Sequence, residues 1–168
     1  MRRVVITGMG TVNPLGQSVS EFWDNIKANK NGISYIDQFD TEGFPVKVVG
    51  AVKDFDNSKY IDKKDAKRMD RFTQFALCSA KQALEMAGSD FKDVDPFRAG
   101  VIIGVGIGGL NLTEHEVTKF NEKPDKISVF FVPMMISNMA AGMVAMKTGF
   151  KGDNFCTTTA CSSGTHAI

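Results

Sequence analysis

The sequence is poor in the residues from which many specialised sites are built. Its 168 residues include three cysteines, two histidines and one tryptophan. The cysteines form neither a CxxC pair nor an even-numbered disulfide framework, and no spacing of histidine, cysteine and aspartate is typical of a metal site. The pattern favours a reducing compartment and gives no support to a metalloprotein.

The sequence also lacks an excess of charge and long apolar runs. Twenty basic and nineteen acidic residues leave a formal net charge of +1, so no overall field favours nucleic acid or a membrane surface. No apolar run approaches the roughly 18 residues that a membrane-spanning helix needs, and no signal-peptide core is present. We therefore expect a cytoplasmic protein that neither inserts into membranes nor binds nucleic acid.

Apolar residues make up 43% of the chain, which is enough for one globular domain with a core. Short apolar runs alternate with segments of helical periodicity, and this alternation predicts an α/β layered domain. Strands are expected at residues 4–6 (buried on both faces), 46–52, 98–103 and 154–158. Helices are expected at residues 21–27, 62–87, 112–120 and 137–147, with residues 33–46 irregular.

A glycine-rich loop follows the third predicted strand. Gly104, Gly106 and Gly109 match the spacing of a dinucleotide-binding loop. Such a site also needs a second strand that ends in an acidic residue about 20 positions further on, whereas residues 123–126 read as a loop. The segment therefore meets only part of the requirement for a dinucleotide site, and nucleotide binding is a weak interpretation of it.

Basic residues cluster in the first half of the long predicted helix. Lys64, Lys67, Arg68 and Arg71 share one face of a continuous helix by their spacing of three and four residues. Most such runs are ordinary solvated faces, and two aspartates lie among these residues. The alternative interpretation is a docking surface for an acidic partner.

Residues 154–164 predict a buried strand, a tight turn of small residues and a helix that begins at Cys161. A thiol at a helix N-terminus meets the positive end of the helix dipole, which favours the thiolate. The small neighbours leave room for a substrate carbonyl, and backbone N–H groups could bind an oxyanion. Cys161 is therefore a candidate nucleophile for acyl transfer, although a packed, unreactive cysteine gives the same local pattern.

The two histidines do not favour a hydrolase with a Cys–His pair. His166 follows Cys161 by five residues, about 140° around a helix, and should face away from the thiol. His115 lies in a polar stretch and should be exposed. Neither histidine is predicted to act on Cys161.

A long segment resembles the active-site signature of β-ketoacyl synthases, most of all the type II 3-oxoacyl-[acyl-carrier-protein] synthases of bacterial fatty-acid synthesis. The matching positions are Gly152, Thr157, residues 160–164 and Ile168. Residues 7–16 and 128–133 resemble two further segments of the same family. Val129 and Asp153 stand where the family commonly has proline.

The resemblance implies a thiolase-like α/β fold of layered sheet and helices. Residues 1–168 would be an incomplete N-terminal β-ketoacyl synthase domain, part of the first of two similar halves, ending at the start of the active-site helix. The two histidines and the lysine that support catalysis in this family would lie beyond Ile168. We therefore expect the 168-residue chain alone to be inactive.

The resemblance also implies a reaction, a decarboxylative Claisen condensation of fatty-acid elongation. Cys161 would hold an acyl chain as a thioester, and malonyl-[acyl-carrier-protein] would lose CO2 and condense with it to give 3-oxoacyl-[acyl-carrier-protein]. Ile107 would lie by the acyl tunnel, and Phe131 would help line the acyl pocket of the partner subunit in a homodimer. No cofactor is implied beyond the phosphopantetheine arm that carries the substrates.

Carrier-protein docking is the other role that the resemblance implies. The basic positions that would receive this acidic protein are Lys64, Lys67, Arg68 and Lys126. Asp125 stands where the family commonly has a basic residue, which weakens the match beside Lys126.

Two alternatives stay open at the level of sequence. A polyketide-type ketosynthase would use the same cysteine chemistry. A non-catalytic fragment or homologue would only dimerise or bind carrier protein, although an inactive partner subunit would be expected to lack Cys161.

Overall fold

The computed structural model of the protein describes residues 3–88 and 91–168 and shows an α/β arrangement of strands and helices. The strands are β1 (Ser34–Tyr35), β2 (Val48–Val49), β3 (Val101–Gly104) and β4 (Asn154–Thr157). The helices are α1 (Val19–Lys27), α2 (Lys63–Ala66), α3 (Arg71–Ala87), α4 (Leu110–Glu122), α5 (Phe131–Met135), α6 (Met139–Thr148) and α7 (Ser163–His166). Short 3-10 turns lie at Pro96–Arg98, Pro124–Lys126 and Ala160–Ser162.

The sheet that carries the fold is a parallel pair. β3 lies beside β4 in a register that places Val101 opposite Asn154 and Gly104 opposite Thr157. The N–H of Val105 extends the ladder by donating to the Thr157 carbonyl over 3.0 Å. Three helices, α4 to α6, form the connection between the two strands, as a parallel crossover requires.

The core lies where α6 packs between α3 and the sheet. Leu77 and Cys78 of α3 and Ala141 of α6 are at most 1% exposed, and Val144 is 4% exposed. The alanines of α6 allow the two helices to approach closely. Burial of these side chains is the main apolar contribution to the stability of this unit.

The predicted helix at residues 62–87 is wrong in its continuity, because the chain breaks it between α2 and α3. The carboxylate of Asp62 caps α2 by accepting from the N–H groups of Lys64 and Asp65. At the break, the Gln74 side-chain amide donates to the carbonyls of Ala66 and Met69 at 3.1 and 2.9 Å. These hydrogen bonds satisfy carbonyls that a continuous helix would have used, which stabilises the interruption.

The end of α3 follows the prediction. Gly88 has a φ of 66°, in the left-handed region that closes many helices and that glycine adopts without strain. The Ser18 side chain caps the start of α1 by accepting from the N–H of Glu21.

One strand prediction is wrong and a second is confirmed only in part. Residues 4–6 lie outside any strand, and Val4 and Ile6 are 95% and 85% exposed, because no strand of the described chain lies beside them. The strand expected at residues 46–52 is reduced to β2, which pairs antiparallel with β1 in a segment expected to be irregular. A strand needs a partner for its backbone groups, and sequence pattern alone does not supply one.

The last strand is correctly placed but less buried than predicted. Asn154 and Phe155 are exposed, whereas Cys156 and Thr157 are half-buried.

Within the residues described, no helix is both long and apolar enough to cross a membrane.

We predict that Leu77→Ala lowers the free energy of unfolding by about 3 kcal/mol, because it opens a cavity between α3 and α6. Urea denaturation of the complete protein measures this loss. Met146→Ala on α6 is the matched control, since Met146 is 64% exposed, and should change stability by less than about 0.5 kcal/mol. Equal losses for the two variants would contradict the assignment of the core.

Candidate active site

Two loops leave the same edge of the sheet. Because β3 and β4 are parallel, the carboxyl ends of both strands meet at one edge, where Gly104 lies opposite Thr157. The loop after β3 carries Ile107, and the loop after β4 carries Cys161. Ligand sites of α/β sheets commonly form at this edge.

The turn after β4 presents Cys161 to solvent. Ala160 has a φ of 50°, which is unusual for a residue with a side chain and turns the chain sharply. A 3-10 turn at Ala160–Ser162 follows, and α7 begins at Ser163. The prediction of a strand, a tight turn and a helical start around Cys161 is therefore confirmed, with the α-helical hydrogen bonds beginning two residues later.

Ser163 holds this turn together. It is 3% exposed, and its hydroxyl lies 2.7 Å from the Ala160 carbonyl and 3.2 Å from the Val105 carbonyl. The same oxygen accepts from the Thr159 N–H at 2.8 Å. The Ser163 carbonyl accepts from the Thr157 hydroxyl at 2.8 Å. Ser163 thus connects the turn to both strands of the parallel pair, through its hydroxyl at the end of β3 and through its main-chain carbonyl at β4.

Gly104 makes this connection sterically possible. A β-carbon added at this position would lie 2.2 Å from the Ser163 carbonyl oxygen and 2.5 Å from the Gly164 nitrogen. No side chain fits in that space, because carbon and oxygen atoms do not approach within 3 Å without a bond. Gly104 matches the spacing of a glycine loop, but no local pattern predicts its contact with the turn that carries Cys161.

The three thiols differ in access. Cys161 is exposed, Cys156 is half-buried within β4, and Cys78 is buried under α6. Burial raises the pKa of the Cys78 thiol to about 11, so at neutral pH this group is a protonated, unreactive thiol. Of the cysteines, Cys161 therefore has the position that an attacking thiol requires.

Neither histidine contacts the thiol of Cys161 among the described hydrogen bonds. Nδ1 of His166 lies 2.8 Å from the Thr159 hydroxyl. His115 is exposed and lies 3.6 Å from a Glu116 carboxylate oxygen. These contacts agree with the prediction that no Cys–His pair forms in this part of the protein. The described residues also contain no cluster of three or more metal-binding side chains.

The glycine loop packs against α5. Gly108 has a φ of 101°, and a β-carbon there would lie 2.5 Å from the Met135 carbonyl oxygen. The Gly109 N–H donates to that carbonyl at 2.9 Å, and the Ser137 hydroxyl donates to the Ile107 carbonyl at 3.0 Å. Close packing on α5 thus accounts for Gly108 and Gly109, and these contacts give no support to a phosphate-binding role.

An apolar cleft lies between this loop, the first turn of α4 and the end of α5. Its volume is about 340 Å³, and its lining includes Ile107, Leu110, Thr113, Met135 and Ile136. Phe131 is outside the lining, at the opposite end of α5, where it is half-buried. The two predicted acyl-pocket residues therefore lie at opposite ends of α5: Phe131 begins the helix, and the loop that carries Ile107 packs against its end.

The predicted basic residues lie in three short segments and not on one helical face. Lys64 lies in α2, Lys67 and Arg68 in the break before α3, and Lys126 in a 3-10 turn. All four are exposed. The prediction that Arg71 shares their face is wrong, since the break places Arg71 at the start of α3, where it donates to the Val52 carbonyl.

One basic residue contacts the segment that carries Phe131. The Arg68 guanidinium lies over the Phe130 ring, 4.9 Å from its centroid, within the range of a cation–π contact. Lys126 lies 3.6 Å from the carboxylate of its neighbour Asp125. No short-range pattern predicts the contact between Arg68 and Phe130, because the two residues are 62 positions apart.

Solved structures define the class of protein. A ketosynthase of a type II polyketide system, solved with its acyl carrier protein and bound to the hexaketide, is 25% identical with a TM-score of 0.82, over 100% of this chain and 46% of that one. A β-ketoacyl synthase from Burkholderia phymatum is 24% identical with a TM-score of 0.77, over 99% of this chain and 41% of that one. The fold is therefore that of the thiolase-like ketosynthases, as predicted.

The family follows from sequence. The model of the β-ketoacyl synthase N-terminal domain matches residues 1–168, and the chain belongs to this family. The 3-oxoacyl-[acyl-carrier-protein] synthase 2 of Synechocystis is 43% identical over 99% of this chain and 40% of that protein. The corresponding synthase of Staphylococcus aureus is 45% identical over 99% of this chain and 41% of that protein. The chain thus spans about two fifths of the length of these curated relatives.

We predict that Gly104→Ala lowers the free energy of unfolding by about 1–3 kcal/mol, because the added methyl group collides with the Ser163 backbone. Gly142→Ala is the control. A β-carbon at position 142 would meet one atom, a methionine sulfur at 3.8 Å, and alanine in α6 should add about 0.5–1 kcal/mol. Chemical denaturation measures both changes, and a Gly104→Ala protein as stable as the parent would refute the close approach.

Proposed function

We propose that the protein is a condensing enzyme of fatty-acid elongation, a 3-oxoacyl-[acyl-carrier-protein] synthase. The observation that carries the proposal is the exposed Cys161, held by Ser163 at the carboxyl edge of the parallel strands. Membership of the β-ketoacyl synthase family supports it. The relatives named for this activity are about two and a half times as long as this chain. The complete reaction is therefore part of the proposal.

Cys161 would act as the nucleophile. Its thiolate attacks the carbonyl carbon of an acyl thioester on carrier protein, and the phosphopantetheine sulfur leaves as a thiolate that takes up a proton from solvent. Malonyl-[acyl-carrier-protein] then loses CO2, and the resulting carbanion attacks the acyl-enzyme carbonyl. The Cys161 thiolate leaves, which gives 3-oxoacyl-[acyl-carrier-protein] and restores the enzyme.

Charge on the carbonyl oxygen needs backbone donors during both attacks. The N–H groups of Ser162 and Ser163 donate within the turn, to the carbonyls of Thr159 and Ala160. We propose that the backbone N–H of Cys161 donates a hydrogen bond to the negatively charged carbonyl oxygen. We give His115 and His166 no catalytic step, since their contacts lie elsewhere. We assign support of decarboxylation and condensation to the two histidines and the lysine that the family has in its later half.

Carrier protein would dock on Lys64, Lys67, Arg68 and Lys126. Their exposure supports this assignment, and one ketosynthase of the same fold has been solved in complex with an acyl carrier protein. Ile107 and Phe131 would contact the acyl chain, Phe131 across a homodimer interface. The substrates arrive on the phosphopantetheine of the carrier, so the enzyme needs no cofactor of its own, and we place it in the cytoplasm.

A polyketide-type ketosynthase is the second candidate, because one such enzyme shares the fold. That enzyme is 25% identical to this chain, whereas the 3-oxoacyl-[acyl-carrier-protein] synthases 2 of Synechocystis and Staphylococcus aureus are 43% and 45% identical. The comparison favours fatty-acid elongation. Retention of Cys161 favours a catalytic subunit over a non-catalytic one.

We predict that Cys161→Ser in the complete enzyme lowers the condensation rate by at least about a thousandfold, because a serine hydroxyl is a far weaker nucleophile than a thiolate. Release of CO2 and formation of 3-oxoacyl product measure the effect. Cys156→Ser controls for the loss of a nearby thiol and should retain most activity. Condensation at the normal rate by the Cys161 variant would remove the basis of the proposal.

We predict that joint reversal of Lys64, Lys67 and Arg68 to glutamate raises KM for carrier protein by about tenfold or more, with kcat little changed at saturation. The KM of the parent should rise with salt, and that of the variant should depend less on salt, because screening acts on the opposite charges of the complex.

The control for this test reverses the same number of charges elsewhere, at Lys27, Lys30 and Lys47. This variant separates a docking effect from a change in net charge. Equal KM values for the two variants would show that Lys64, Lys67 and Arg68 have no specific role in docking carrier protein.

A further inference from the structure

A buried carboxylate lies between α4 and the segment that leads into α5. The side chain of Glu116 is 5% exposed, although it sits in the middle of an otherwise polar stretch of α4. Carboxylates are rarely buried unless hydrogen bonds or ion pairs compensate the loss of water. The partners of Glu116 therefore show what this residue holds in place.

The main partner of Glu116 is the backbone at the entry to α5. One carboxylate oxygen accepts from the Ser128 N–H at 2.8 Å. The other lies 3.4 Å from the Lys119 ammonium and 3.6 Å from His115 on the same helix. The hydrogen bond from Ser128 lowers the pKa of the Glu116 carboxyl, and the Lys119 ammonium lowers it further. The Glu116 side chain, which we call the anchor of α5, is therefore anionic at neutral pH.

Ser128 connects the Glu116 carboxylate to α5. Its carbonyl accepts from the Phe131 N–H at 3.0 Å, and its hydroxyl accepts from the Phe130 N–H at 3.2 Å. The first turn of α5 is thus fixed to Glu116 through one residue. The other end of α5 is fixed to the glycine loop by the bond from the Gly109 N–H to the Met135 carbonyl.

The apolar cleft lies between the elements that Glu116 connects. Thr113, on the same face of α4 and one turn before Glu116, lines one wall, and Met135 and Ile136 at the end of α5 line the other. A five-residue helix that is held at both ends cannot shift without changing the separation of these walls. Release of the Glu116 end would let α5 move relative to α4.

We propose that Glu116 is a positioning residue for acyl-chain selection: its bond to Ser128 sets α5 against α4 and thereby fixes the shape of the cleft that Ile107 helps to line. This inference rests on the proposed function, because it takes the cleft as the site of an acyl chain. Glu116 would touch neither the chain nor the reacting atoms. Its effect would be on which chain lengths are accepted.

The test compares Glu116→Ala and Glu116→Gln in the complete enzyme, with Glu114→Ala as the control for an exposed carboxylate on the same helix. The kcat/KM for long and short acyl primers, each on carrier protein, is measured with malonyl-[acyl-carrier-protein]. We expect Glu116→Ala to change the ratio of long to short primers by about tenfold, since one misplaced methylene contact has this order of effect. Glu116→Gln keeps an acceptor for Ser128 and should stay within about threefold of the parent ratio. Glu114→Ala should leave it unchanged.

A parent-like ratio in Glu116→Ala would overturn the inference while leaving the proposed function intact. An equal change in Glu116→Ala and Glu116→Gln would overturn the hydrogen-bonded anchor. Should the alanine variant fail to fold, Glu116→Asp, too short to reach Ser128, replaces it with the same expectations.

Amide hydrogen exchange gives a readout that does not need activity. Glu116→Ala should speed exchange of the Ser128 and Phe131 amides relative to Glu114→Ala, and unchanged exchange would overturn the anchor. If the parent enzyme condenses none of the primers, the proposed function fails, and the exchange result alone decides whether Glu116 holds α5.

Discussion

The close approach of Gly104 to the Ser163 backbone is the constraint on which the candidate site depends. It lets a buried serine hydroxyl reach the end of β3 while it also holds the turn after β4. The turn contains Ala160 with a positive φ, a conformation that costs roughly 1–2 kcal/mol for a residue with a β-carbon. The hydrogen bonds of Ser163 stabilise that conformation, and the result is an exposed thiol in a fixed position at the sheet edge.

The rest of the site follows from the parallel pairing of β3 and β4. Both loops leave the same edge, so the chain places Ile107 and Cys161 on one side of the molecule although 53 residues separate them. The glycines of the first loop admit α5 to close contact. Because α5 also bears Phe131 and neighbours Phe130, contacts made with Arg68 and with Glu116 reach the same short helix.

Local chemistry of the chain predicted much of this arrangement. The turn around Cys161 and the helices α1, α4 and α6 follow short-range patterns of residue type and spacing, and the structure confirms them. Features that depend on distant partners were missed. The break before α3 needs Gln74 to satisfy two carbonyls, the role of Gly104 needs Ser163, and the exposure of Val4 reflects the lack of a neighbouring strand among the described residues. The contact of Gly104 with Ser163 joins residues far apart in the chain, and a strand at residues 4–6 would need a partner that the local pattern does not supply.

The measurement that tests the account most directly is the location of the acyl group on the complete enzyme. The protein is incubated with an acyl-carrier protein that bears a labelled acyl chain, without malonyl substrate, and digested for peptide mapping by mass spectrometry. The account predicts one acyl group per chain, on the peptide that contains Cys161, with Cys156 and Cys78 unmodified. Acylation of another cysteine, or a stable enzyme that acquires no acyl group, would contradict it.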